Sequence, residues 1–176
     1  MKKNNFGFTL IELLAVVLMI GILTSVALPQ YRRSVQRAEA MEALVNLKTI
    51  FDSAKRYRAA NSETPGSLKG LDVQFFDADP NSSDPIIGNF RYAIKPTHIG
   101  ACRVDGKAHS TYTDTYCLVM MYKETINGTT YRDLLKCNTG SEKWKYVCES
   151  LAQSCTNGNT AKSGTTYYIS DKVVCD

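Results

Sequence analysis

Polar and apolar residues are sharply segregated along the 176-residue chain. A short head, Met1 to Gly7 (MKKNNFG), is followed from Phe8 to Leu28 by FTLIELLAVVLMIGILTSVAL, in which Glu12 is the sole charge. Twenty-one residues at about 1.5 Å each form a helix of about 31 Å, matching a bilayer hydrocarbon core of ~30 Å. Beyond Pro29 the apolar residues recur at spacings of three and four: Val35, Ala38, Met41, Leu44 or Val45, Leu47, Phe51 and Ala54. That is one face of an amphipathic helix. Arg32, Arg37, Glu39, Glu42, Lys48, Asp52 and Arg56 fill the other side, Asp52 and Arg56 as an i,i+4 ion pair. One long helix is expected from about Phe8 to about Tyr57, its first half in lipid and its second half on a sheet. Gly21 and Pro29 are its weak points, because glycine costs about 1 kcal/mol in a helix and proline removes a hydrogen bond.

After the helix the pattern changes again. Pro65, Gly66, Gly70, Pro80, Pro85 and Gly88 mark residues 61–89 as a long loop, a length usually kept for function or for covering a surface. Alternation then predicts strands over Phe90–Lys95, Tyr116–Lys123 and Tyr131–Cys137, with Asn127-Gly128 as a hairpin turn between the last two. Trp144–Cys148 and Tyr167–Ile169 are shorter strand candidates. One helix followed by several antiparallel strands is an α+β arrangement. The chain divides into a head (1–7), an apolar helix (8–28), its amphipathic continuation (29–60), a surface loop (61–89) and a sheet domain (90–176).

Composition adds two constraints. The formal net charge is +4, and removal of the head, with Lys2 and Lys3, leaves +2. So small a surplus spread over the surface predicts no specific nucleic-acid partner. Six cysteines, at 102, 117, 137, 148, 155 and 175, are dispersed without a CxxC pair. Histidine occurs only at 98 and 109, so no zinc quartet is suggested, and the even count reads as disulfides formed in an oxidising compartment.

No arrangement of side chains calls for catalysis. No Ser-His-Asp or Cys-His pattern is visible, and bridged cysteines supply no nucleophilic thiol. Asp77, Asp79, Asn81 and Asp84 alternate somewhat like a calcium loop but lack the turn glycine and the closing glutamate, so a solvated acidic turn is expected. Neither enzymatic activity, cofactor nor metal is expected.

The head distinguishes the apolar run from an ordinary signal peptide, whose apolar region is about 7–15 residues long and precedes the cut. Here the small residue, Gly7, stands before the run. Gly7-Phe8-Thr9-Leu10-Ile11-Glu12 resembles the cleavage motif of type IV prepilins and of the related pseudopilins of type II secretion. Leu13-Leu14-Ala15-Val16-Val17 and Ala27-Leu28-Pro29-Gln30-Tyr31 are similar to the family pattern as well. The likeness covers about the first 60 residues.

This resemblance implies a pilin-like fold, a long helix on a four- or five-stranded antiparallel sheet. It implies an inner-membrane precursor with an extracytoplasmic C-terminal domain. A prepilin peptidase would cut between Gly7 and Phe8, and the new amino group of Phe8 would be methylated. Thr9, Leu10 and Ile11 would enter the core of a helical homo-oligomeric filament built on an inner-membrane assembly platform, and the chain between Gly21 and Pro29 would melt or kink on assembly. The expected role is a structural subunit of a type IV pilus at the cell surface. The alternatives are a type II secretion pseudopilin, or a minor or tip pilin that binds surfaces or DNA.

Glu12 has a reason of its own. A carboxylate at bilayer depth costs on the order of a few kcal/mol, so it needs a partner. It lies one helical turn past Phe8, and the positive N-terminus of a neighbouring subunit is the expected counterion. For the cysteines, fifteen pairings exist. Chain-local pairing closes Cys102–Cys117, Cys137–Cys148 and Cys155–Cys175, the last resembling the C-terminal disulfide loop of many type IV pilins.

Overall fold

The computed structural model describes residues 9–104, 115–126, 128–152, 156–161 and 164–169. Helix α1 runs from Leu10 to Asn61 without a break. The chain forms two units, one ending at Ala38 and one beginning at Glu39. In the second unit the end of α1 is followed by β1 (Ile86–Ile87), β2 (Phe90–Ile94), β3 (His98–Arg103), β4 (Tyr116–Ile126) and β5 (Thr129–Thr139). A 3-10 turn (Glu142–Trp144), α2 (Lys145–Leu151), β6 (Thr156–Ala161) and β7 (Gly164–Tyr168) complete it. All pairings are antiparallel, in the order β1-β2-β3-β4-β5-β7-β6.

The α+β class is the one the hydrophobic pattern predicts. The sheet is wider than four or five strands because β1 and the β6–β7 hairpin extend its edges. Two features escaped the sequence pattern. Strand β3 (HIGACR) carries too little apolar alternation to stand out, yet it is central, paired on both sides. Trp144–Cys148, expected as a strand, is the 3-10 turn running into α2, and Trp144 and Cys148 are buried there. The hairpin between β4 and β5 does form, with Gly128 at φ +79°, a conformation that glycine adopts without a Cβ clash.

The core lies between α1 and one face of the sheet. Ala40, Ala43, Leu47, Ile50, Phe51 and Ala54 meet Tyr92, Ile99, Ala101, Leu118 and Cys137. The buried stripe is rotated from the expected one: Met41 and Val45 are half exposed or more, while Ala40 and Ala43 are buried. Small residues win the inner face because they let the helix backbone approach the strands, close enough for the Tyr92 hydroxyl to donate to the Ala43 carbonyl at 3.4 Å. Glu39 accepts from Arg103 of β3, whose guanidinium lies 4.8 Å from the centre of the Trp144 ring. Disulfides join Cys102 to Cys117, directly opposite each other on β3 and β4, and Cys137 of β5 to Cys148 of α2. Cys155 and Cys175 lie outside the described residues.

The expected Asp52–Arg56 pair is not the one made. Arg56 instead donates twice to Asp72, Nε at 2.7 Å and Nη2 at 2.9 Å, because the Asp72 backbone N–H and carboxylate are already held by Ser53 one turn earlier on α1. A two-point guanidinium–carboxylate contact outcompetes a single i,i+4 contact. The Arg56 hydrogen bonds, and then that of Ser53, hold the Asp72 pKa down to about 2 from an ordinary 3.8. A depressed carboxylate contributes stability above its unfolded value and loses it as pH falls through the folded one. We expect Asp72→Asn to remove stability at neutral pH and to flatten the loss between about pH 4 and 2. Denaturant midpoints in detergent, followed by fluorescence of the single buried Trp144, measure this. An unchanged acid slope in the variant contradicts it.

Candidate assembly site

The start of α1 is fixed by two side chains. The Thr9 carbonyl accepts the Leu13 N–H at 3.2 Å, which makes Thr9 the N-cap. Its Oγ1 accepts the Glu12 N–H at 3.3 Å, and Glu12 Oε2 accepts both the Thr9 N–H, at 2.9 Å, and the Thr9 hydroxyl, at 2.6 Å. This is a capping box, in which residues three apart satisfy each other's orphan donors. It also sets the carboxylate at the positive end of the helix dipole. The Thr9-x-x-Glu12 spacing carries this signal in the sequence, beside the expected contact of Glu12 with a neighbouring subunit. Among the described residues no donor reaches Glu12 Oε1. Leu10 and Ile11 are exposed, and Gly7 and Phe8 lie outside the described residues.

From Leu10 to Leu28 no side chain of α1 is buried, and thirteen large apolar ones face outward. This helix is long and apolar enough to cross a membrane. Gly21 has nothing within 4 Å of where a Cβ would stand, so no packing inside the chain demands a glycine there. The helix continues through Pro29, which has no N–H to give to the Ser25 carbonyl. Between these residues, the Thr24 hydroxyl donates to the Ile20 carbonyl at 2.6 Å and the Ser25 hydroxyl to the Ile22 carbonyl at 2.7 Å. Such back-bonding competes with the helix ladder. Gly21, Thr24, Ser25 and Pro29 thus gather in one short stretch, of which the sequence pattern had marked only the ends.

Residues 2–28 match the prokaryotic N-terminal methylation motif. Beyond that motif the chain is similar to type IV pilins. A type IV major fimbrial protein FimA of Dichelobacter nodosus is 39% identical over 117 residues, 65% of this chain and 61% of that one. The type IV major pilin protein PilA of Myxococcus xanthus (strain DK1622) is 43% identical over 56 residues, 32% of this chain and 26% of its own. The type II secretion system core protein G of Aeromonas hydrophila is 28% identical over 72 residues, 41% of this chain and 50% of its own. The chain spans about half to three fifths of the length of the FimA proteins it matches. No solved structure matches it.

The capping box is testable without reference to function. Thr9→Val keeps the side-chain shape but removes the hydroxyl, and loss of a threonine N-cap costs about 1 kcal/mol. We expect amide exchange at Ile11–Leu13, measured by NMR in micelles, to quicken about fivefold in Thr9→Val and to stay near wild type in Thr9→Ser. Equal protection in the two variants contradicts the box.

Proposed function

We propose that the chain is a structural subunit of a type IV pilus, made as an inner-membrane precursor and polymerised through α1. The observation that carries this is the wholly exposed apolar segment Leu10–Leu28, capped by Thr9 and Glu12 and lying within the methylation motif. In this account residues 1–7 are a leader, cut from Phe8 by a membrane prepilin peptidase, and Phe8 is then N-methylated. Residues 8–28 pass from lipid into the filament core, and Thr9, Leu10 and Ile11 enter it with them. Residues 29–60 carry the sheet domain of 90–176, and 61–89 cover its side. The inner-membrane assembly platform is the partner during polymerisation, and the cell surface is the destination.

Glu12 then has two duties. Its Oε2 starts the subunit's own helix, and its Oε1, which no donor reaches among the described residues, accepts the Phe8 amine of a neighbour, which fixes the register of each incoming subunit. The likeness to core protein G favours one second reading, a pseudopilin of a type II secretion system. Abundance of this chain in filaments sheared from the cell surface supports the pilus. Its recovery only with secretion components supports the pseudopilin.

Two variants test processing and assembly separately. Gly7→Val puts a branched side chain at the cut, and we expect the precursor to stay intact by mass, whereas the wild-type chain begins at methylated Phe8. A mature chain that begins at Met1 or beyond Leu28 contradicts the proposal. Glu12→Val lowers the cost of insertion, so membrane levels match or exceed wild type while filament yield collapses. Wild-type filament yield from Glu12→Val contradicts the register contact.

A further inference from the structure

The exposed part of α1 continues past the end of its apolar run. From Pro29 to Ala38 the helix reads PQYRRSVQRA, with three arginines and no acid. At about 100° per residue, Leu28, Tyr31, Val35 and Ala38 share one face, and Arg32, Arg33 and Arg37 lie across from it. Each of these side chains is exposed. A helix with an apolar stripe and a basic face is the kind that rests at a membrane surface, and this one is continuous with the segment long and apolar enough to cross a membrane.

The chain does not neutralise this charge itself. Arg32 and Arg37 pair with no carboxylate among the described residues. Glu39, the next acid along the helix, is held by Arg103 and by Asn89 Nδ2, the latter at 3.2 Å. Arg33 and Arg37 stand four residues apart, and like charges at that spacing destabilise a helix. In the proposed orientation three arginines also flank the exported end of the span, against Lys2 and Lys3 at the cytoplasmic end, and basic residues oppose export. Both costs fall when anions stand beside the cluster.

Depth names the anion. By helix rise, Tyr31 lies about 4.5 Å, Arg32 about 6 Å and Arg33 about 7.5 Å past Leu28. The headgroup layer of one leaflet is about 5–7.5 Å thick, so these three stand within it. Arg37 lies about 13.5 Å past Leu28, about one Debye length (~8 Å) beyond that layer. We infer that Arg32, Arg33 and Arg37 bind the phosphates of anionic phospholipids in the leaflet where the apolar run ends, with Tyr31 seated at the same level. A guanidinium offers paired donors that fit phosphate oxygens, and its long stem reaches from the helix to the headgroup. Tyrosine, apolar in its ring and polar at its tip, suits that boundary. The contact holds each subunit at one depth before assembly. The inference rests on the reading that Leu10–Leu28 spans a membrane, and adds to it the lipid class and the residues that select it.

The test uses the full chain reconstituted in vesicles of phosphatidylcholine and phosphatidylglycerol, with a spin label on the acyl chain of one lipid or the other. The spectra separate lipid at the protein from bulk lipid, and the ratio of the two association constants gives the preference. One basic side chain near an anionic surface is worth about fivefold, equivalent to about 1 kcal/mol. We expect the preference for phosphatidylglycerol to fall at least about fivefold when Arg32→Gln, Arg33→Gln and Arg37→Gln are combined, and to persist when all three are changed to lysine. Glutamine is nearly as good a helix former as arginine, and circular dichroism checks that α1 is kept. Lys2 and Lys3 are present in every chain compared, so the difference belongs to the arginines. Equal preference in wild type and the glutamine variant overturns the contact. So does an equal fall in the glutamine and lysine variants, or loss of the wild-type preference when free phosphate replaces chloride at constant ionic strength. A wild-type chain that alkaline carbonate washes from the vesicles removes the membrane reading itself, and this contact with it.

Discussion

The structure depends on one constraint: an apolar surface that water cannot be left to cover. Thirteen large side chains between Leu10 and Leu28 face outward, each forgoing about 1.5–3 kcal/mol of burial. Their sum is on the order of tens of kcal/mol, above the entire folding stability of an ordinary domain, about 5–15 kcal/mol. No rearrangement inside the chain compensates a deficit of that size. The segment therefore needs an apolar environment, which in the proposed assembly is lipid first and neighbouring subunits afterwards. The capping box meets part of that need at one end, since it satisfies the Thr9 and Glu12 N–H groups from within the chain.

The second unit solves a different problem, how to stand in water on a polar sequence. Its core is a narrow strip between α1 and the sheet, with alanines at 40, 43 and 54 to bring the layers together. The Arg103–Glu39 ion pair and the contact of Arg103 with Trp144 tie β3 to the helix near the division between the units. Disulfides fasten β3 to β4 and β5 to α2. Asp72, held by Ser53 and Arg56, pins the start of the long loop to the last turns of the helix.

How much of this was legible in the sequence follows from the range of each interaction. The apolar run, the helix beyond it and the Asn127-Gly128 hairpin are written in neighbouring residues and could be read there. The buried face of α1 could not, because Ala40 and Ala43 are chosen by the sheet opposite rather than by their own hydrophobicity. Strand β3 was hidden for the same reason: Gly100 and His98 make a poor pattern but sit between two partners that impose the conformation. Asp72 was missed because its partners are 16 and 19 residues away. In the assembly segment the residue types were visible, and the structure adds a contact inside the chain. Glu12 is expected to meet a neighbouring subunit, and it also accepts from Thr9, three residues before it.

The central claim is that α1 exchanges lipid for neighbouring copies of itself in a register set by Glu12. Electron cryomicroscopy of sheared filaments, at a resolution that traces side chains, tests it most directly. The account predicts this chain as the repeating subunit, beginning at Phe8, with its amino group in hydrogen-bond range of Glu12 Oε1 of an adjacent subunit and residues 10–28 buried among helices. Filaments that lack this chain, or that contain it with Glu12 facing solvent and its apolar segment outside the core, would contradict the account.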